Sequence, residues 1–146
     1  MKKLLPQANS LDVIIETFKY CIENPSYRKS ELADHIGYNL RQADYYLNAC
    51  IYLDLLDTDG KATEYSVKLY GLNEQLRLGI YERIMNDHLI GKIFTHYLVF
   101  SREGLKEFAY KEVALQYPEY GEAVIRRRVS TILSWCEEIM TFVKFA

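Results

Sequence analysis

The chain is 146 residues long and 49% hydrophobic, and it carries eighteen Lys/Arg against twenty Asp/Glu, a formal charge of -2. Such a length builds one ordinary domain or two small ones, and the apolar content argues against intrinsic disorder. The near-balanced charge excludes a global field that would draw the protein onto a polyanion or an acidic membrane, and neither half is basic: residues 1–73 hold eight Lys/Arg and ten Asp/Glu, residues 74–146 ten of each.

Residues 1–9 read as an irregular arm, because Pro6, Gln7 and Asn9 break the apolar run after Met1-Lys2-Lys3-Leu4-Leu5 before it could form a signal-peptide core. Ser10 then caps a predicted helix whose apolar positions, Leu11, Ile14, Ile15, Phe18, Cys21 and Ile22, share one face. Asn24-Pro25 ends it. Ser30 is the expected cap of a short second helix with Glu31 in its first turn and Leu32, Ala33 and Ile36 inside.

Gly37, four residues after the small Ala33, supplies the left-handed stop that a tight helix-helix turn needs. A third helix over about 39–55 then places Leu40, Ala43, Leu47, Cys50 and Leu53 on its core side. Short helix, glycine turn and longer helix together make a helix-turn-helix pattern, whose second helix commonly enters a DNA major groove. Asp59-Gly60, between two short segments able to form strands, predicts a β-hairpin wing packed on the three helices. Val67-Lys68-Leu69-Tyr70-Gly71 follows where a helix would leave the wing, without a hydroxyl cap, and helix is predicted again through Leu76, Ile80, Ile84 and Met85.

From Leu89 to Phe100 the apolar density predicts a largely buried helix. Another runs from about Arg102 to Gln116 with Leu105, Phe108, Ala109 and Val113 inside, a loop spans Tyr117 to Gly121, and the last helix carries Ile125, Val129, Ile132, Leu133, Cys136 and Ile139 on one face. Sliding the halves by eighty-six residues sets Arg41 on Arg127, Leu47 on Leu133, Cys50 on Cys136 and Leu53 on Ile139. The fold class is therefore mainly α: a winged helix-turn-helix domain over residues 1–87, then a helical second half over 88–146. That half reads either as an incomplete second winged helix or as a truncated fragment. After Met140 there is room for one strand or a helix end.

Arg41-Gln42-Ala43-Asp44-Tyr45-Tyr46 with Leu53-Asp54-Leu55-Leu56, and Arg127-Arg128-Val129-Ser130-Thr131-Ile132-Leu133-Ser134-Trp135, carry a resemblance. Both runs resemble winged-helix modules attached to or accompanying bacterial type II restriction endonucleases. The resemblance covers nearly the whole chain, and it implies DNA binding in a restriction-modification setting.

On the outward face of the third helix stand Asn39, Arg41, Gln42, Tyr45 and Asn48. Arg pairs with guanine through two hydrogen bonds, and Asn and Gln do so with adenine. Arg28, Lys29 and Lys61 offer phosphate contacts from turn and wing, and Arg126 and Arg127, in the only triple basic run, offer a phosphate clamp. The competing reading of the third-helix set is a solvated face. For the arginine run it is pairing with Glu119, Glu122 or acidic residues of the first half, and consecutive helical residues stand about 100° apart, so the three do not share one groove: Arg127 faces out most clearly, while Arg128, beside Val129, is placed to bury its stem. Trp135 reads as core; of Tyr45 and Tyr46, the latter should point inward.

Catalysis has little support. His35, His88 and His96 are scattered, no Glu-x-Lys occurs, and Asp59-Gly60-Lys61 falls in the predicted turn without a second acid. No metal or other cofactor is expected. Cys21, Cys50 and Cys136, odd in number and set among apolar residues, suit buried thiols in the cytoplasm. The expectation is a non-catalytic module for double-stranded DNA. The alternatives are a winged-helix platform for a protein partner, which the thirteen tyrosines favour, and a homodimeric bacterial transcriptional regulator.

Overall fold

A computed structural model describes residues 2–145. Among them the chain forms eight α-helices and no strand, and it divides into two compact units, Met1–Ile80 and Tyr81–Ala146. The division falls inside helix α5 (Leu76–Met85), upstream of residue 87.

The first unit is built on α1 (Leu11–Glu23), α2 (Lys29–Ile36) and α3 (Leu40–Tyr52). Ser10 caps α1 by accepting from the Val13 N–H, and α1 buries Leu11, Ile14, Ile15, Phe18 and Cys21. The cap of α2 differs from the sequence expectation: the helix starts at Lys29 after Arg28, Ser30 lies inside its first turn, and the Glu31 carboxylate accepts from the Arg28 N–H at 3.0 Å. Acidic Glu31 thus does the capping that Ser30 was expected to do. Gly37 closes α2 at φ 78°, ψ 27°, with the Tyr38 N–H donating to the Ala33 carbonyl at 2.9 Å.

The N-terminal arm is irregular yet fixed. Leu5, Pro6 and Ala8 are buried, the Lys3 ammonium donates to the Ile51 carbonyl at 3.0 Å at the end of α3, and Asn48 Nδ2 reaches the Leu4 carbonyl at 3.5 Å. A cation at a helix C-terminus is favoured by the exposed carbonyls there.

The expected β-hairpin wing is reduced to one isolated bridge between Leu56 and Ala62. The Asp57 carboxylate folds back to accept from the Asp59 and Lys61 N–H groups at 2.9 and 3.0 Å, making a compact turn. Thr63 then caps helix α4 (Glu64–Tyr70), accepting from the Ser66 N–H at 3.0 Å. The residues that would form the returning strand are spent on that helix, and the hydroxyl cap missing at Lys68 stands instead at Thr63. A 3₁₀ turn, Asn73–Gln75, leads into α5.

The second unit holds α6 (Ile90–Phe100), α7 (Leu105–Gln116) and α8 (Glu122–Phe145). Asp87 caps the start of α6, its carboxylate accepting from the Leu89 and Ile90 N–H groups at 3.1 and 3.0 Å. Only the first half of α6 is buried, through Ile90, Gly91, Ile93 and Phe94. Leu98, Val99 and Phe100 are exposed, contrary to the expectation of a largely buried helix: the buried positions of α6 end at Phe94, and the helix stops at Ser101 (φ 54°). Phe108 of α7 is half-buried where the core was expected. The segment after Met140 continues α8. Burial along α8, at Val129, Ile132, Trp135, Cys136 and Ile139, repeats that of Ala43, Tyr46, Ala49, Cys50 and Leu53 at the eighty-six-residue offset, although α8 has 24 residues and α3 only 13.

Two properties of this fold can be measured. A Cβ on Gly37 would meet nothing within 4 Å, so Gly37→Ala carries backbone strain alone and should lower stability by about 1–2 kcal/mol in urea titration. All three thiols are buried, and burial raises Cys21 to about 11, Cys136 to about 12 and Cys50 well above its usual value. They should resist thiol reagents at pH 8 until denaturant is added. Because the unfolded thiols ionise first as pH rises, stability should fall above about pH 9.

Candidate nucleic-acid interface

The buried line of α3 is Ala43, Tyr46, Ala49 and Cys50, followed by Leu53. Leu40 and Leu47 are therefore corrected: Leu40 is 54% exposed and Leu47 only half-buried. Tyr46 and Ala49 occupy the inner positions, which rotates Leu47 off the core, and Leu40 lies in the first turn, before Ala43 reaches it. The inward Tyr46 stacks on Tyr38 and accepts from the Ser10 N–H at 3.3 Å.

Asn39 is the N-cap of α3. Its Oδ1 accepts from the Gln42 N–H at 2.9 Å, while Gln42 Oε1 accepts from the Asn39 N–H at 3.4 Å. This reciprocal box satisfies two orphan donors of the helix start. It also turns both amide oxygens inward, whereas bidentate adenine contact requires an oxygen and a nitrogen presented together. The Asn39 bond is the firmer of the two, so Gln42 is the amide that can more readily be released.

Arg41 is exposed and donates from Nε to the Tyr45 hydroxyl at 2.8 Å, with its Cζ 5.8 Å from that ring's centroid. Asn48, expected to read bases, fastens the arm instead. Lys29 pairs with Asp44 at 2.7 Å, and the Lys61 ammonium donates to the Pro25 carbonyl, which leaves its charge uncompensated. Lys29, Asn48 and Lys61 nevertheless meet, lining a hollow of about 400 Å³ beside α3 together with Asp44, Leu47 and Ile51. Among the described residues Arg28, Arg41 and Lys61 have no carboxylate partner.

The arginine run belongs to the second unit and is split three ways. Arg126 is held by Glu122 one turn earlier, Arg127 is exposed without an ion-pair partner among the described residues, and Arg128 is 8% exposed with its guanidinium 5.5 Å over the Tyr120 ring. Only Arg127 keeps the character of a phosphate ligand. Trp135 is fully buried. The helical spacing signalled the outward Arg127 and the buried stem of Arg128, but not the ring beneath the guanidinium, which depends on the loop at 117–121, where Tyr120 stacks on Tyr117 at 4.8 Å. The sequence reading also missed a hollow of about 1050 Å³ between α7 and α8, lined by Tyr110, Ala114, Val129 and Leu133 with Lys106 and Lys111 at its rim.

The three histidines lie apart, two of them against aromatic rings and His88 exposed. His35 stacks on Tyr20, His96 stacks on Phe108, and His88 stands 3.8 Å from Asp87. Asp59 and Lys61 sit in the Asp57 turn. Among the described residues no group of three or more His, Cys, Asp or Glu is placed to hold a metal ion, and no helix is long and apolar enough to cross a membrane.

A family model described as Domain of unknown function (DUF7226) matches residues 13–144, so the chain belongs to that family. No curated protein and no solved structure matches the chain.

The capping geometry separates Asn39 from Arg41 in a thermal melt. Asn39→Ala should cost about 1 kcal/mol of stability. Arg41→Ala, which removes an exposed side chain, should stay within about 0.5 kcal/mol of the parent.

Proposed function

We propose that this member of the family is a DNA-binding module whose first unit reads duplex DNA through the N-terminal turn of α3. The observation that carries this reading is the exposed start of α3, set off by the Gly37 turn, with Arg41 outward and without a carboxylate partner. In helix-turn-helix proteins the N-terminal residues of the second helix are the ones that meet base edges. Arg28 and Lys61 add two uncompensated cations on the same unit. Their role is phosphate contact, which sets register and carries no sequence information. With the wing absent, the 57–61 turn takes the wing's place beside α3 and contributes Lys61.

The resemblance to modules of type II restriction endonucleases supports a place in, or beside, a restriction-modification system. In this reading the chain positions a partner on DNA and performs no chemistry itself. Arg127 offers a further phosphate contact from the second unit. A second reading, a protein-interaction module, is favoured by one observation: Leu98, Val99 and Phe100 are consecutive, apolar and exposed at the end of α6.

Fluorescence titration with random-sequence duplex at low and moderate salt distinguishes the two. Binding at micromolar protein that weakens with salt is the expected result, and its absence favours the interaction module. Arg41→Ala should weaken binding to a preferred site by about 1–3 kcal/mol and relax specificity, whereas Arg127→Ala should weaken all duplexes alike and flatten the salt slope. Asp44→Asn removes a carboxylate from the α3 face and releases Lys29, so it should tighten binding and steepen the salt slope.

A further inference from the structure

Resting on the DNA-reading role of α3, we infer that Tyr45 is a positioning residue for Arg41 and that the base read is guanine. Arg41 Nε donates to the Tyr45 hydroxyl at 2.8 Å, and the guanidinium carbon lies 5.8 Å from the centroid of the same ring. The spacing of four residues on one helix makes that contact local, so it forms before any ligand arrives. With Nε engaged, the side-on pairing that uses Nε and one terminal nitrogen is closed. What remains is the end-on fork of the two terminal nitrogens.

That fork donates from both nitrogens and accepts nothing. It therefore needs two neighbouring acceptors on one base edge. In the major groove guanine alone presents such a pair, O6 and N7; adenine pairs an acceptor with a donor, cytosine offers a donor, and thymine one acceptor beside a methyl group. Two further contacts protect the arrangement. Asp44, the carboxylate nearest in sequence, is engaged by Lys29 at 2.7 Å and so does not capture Arg41. Gln42 and Asn39 have their amide oxygens in the capping box and do not compete for the guanidinium. Tyr45 holds an otherwise mobile side chain and removes rotamer freedom that Arg41 would lose on binding.

The test begins with selection of a preferred duplex from a random library using the full chain. Each guanine of that duplex is then replaced by 7-deazaguanine, which lacks only the N7 acceptor. Wild-type protein should lose about tenfold in affinity at one guanine. Arg41→Ala should bind more weakly and be indifferent to that replacement. Tyr45→Phe keeps the ring and should melt like the parent, yet lose most of the sensitivity at that guanine, to under about threefold; in an Arg41→Ala background it should add nothing.

A Tyr45→Phe protein with full tenfold sensitivity, or one whose effect adds to that of Arg41→Ala, overturns the positioning role. Wild-type affinity indifferent to every replacement overturns guanine reading and leaves DNA binding standing. Failure to select any duplex overturns the DNA-reading role and this inference with it.

Discussion

Between Ile36 and Leu40 the chain ends one helix and begins another, and the whole character of the first unit follows from how little backbone does it. Gly37 adopts the left-handed conformation, Tyr38 returns its N–H to Ala33, and Asn39 at once caps the next helix. So short a connection fixes the direction in which α3 leaves α2. Packing against α1 and α2 then sets the rotational phase of α3, with Ala43, Tyr46 and Cys50 inward and Arg41 outward. Ala33, 4% exposed, and Ala43, fully buried, are the small residues that let two helices so tightly joined pack closely.

Four contacts between residues distant in sequence then fasten what the turn has oriented. The arm reaches the C-terminal end of α3 through Lys3 and its middle through Leu4 and Asn48. The turn around Asp57 is beside α3 at the hollow lined by Asn48 and Ile51, with Lys61 anchored to Pro25 and the Tyr27 hydroxyl donating to the Gly60 carbonyl at 3.1 Å. These contacts leave the first turn of α3 as its most open part. The same contacts explain why Asn48, outward by helical arithmetic, is tied to the arm while Arg41 stays exposed.

The two helices around Gly37, the Ser10 cap, the stop at Asn24-Pro25 and the core face of α8, except for the half-buried Leu133, were legible because each rests on interactions within a few residues of one another. Leu40, Leu47 and the β-wing were not, for different reasons. A helical wheel gives spacing but not phase. Ala43 and Cys50 fit both assignments, and only packing against α1 and α2 decides that Tyr46, not Leu47, goes inward. The hairpin was a local competition decided by capping: Asp59-Gly60 does make the turn, but Thr63 and Glu64 start a helix before a second strand can lengthen, and a lone bridge is too little to propagate pairing. At the candidate site, residue types were legible and partners were not. Asn39, Gln42 and Asn48 could be named as outward polar groups, yet which of them the backbone claims for itself is a matter of geometry.

Electrostatics sharpens that last point. In a chain of formal charge -2 a basic face cannot arise from excess; it arises from which cations are left over after carboxylates have paired. In the first unit Lys29 is taken by Asp44 and Arg77 by Asp12 at 2.6 Å, while three cations have no carboxylate partner among the described residues: Arg41 in the first turn of α3, Lys61 beside the later part of α3 and Arg28 at the start of α2. Such a field is weak at long range and is screened within about 8–10 Å at ordinary salt. It would therefore contribute little to steering and much to orientation at contact. In the proposed DNA-binding role, affinity would depend on a few well-placed donors more than on bulk charge, and the donor with the most geometry invested in it is Arg41, whose Nε is already engaged by Tyr45.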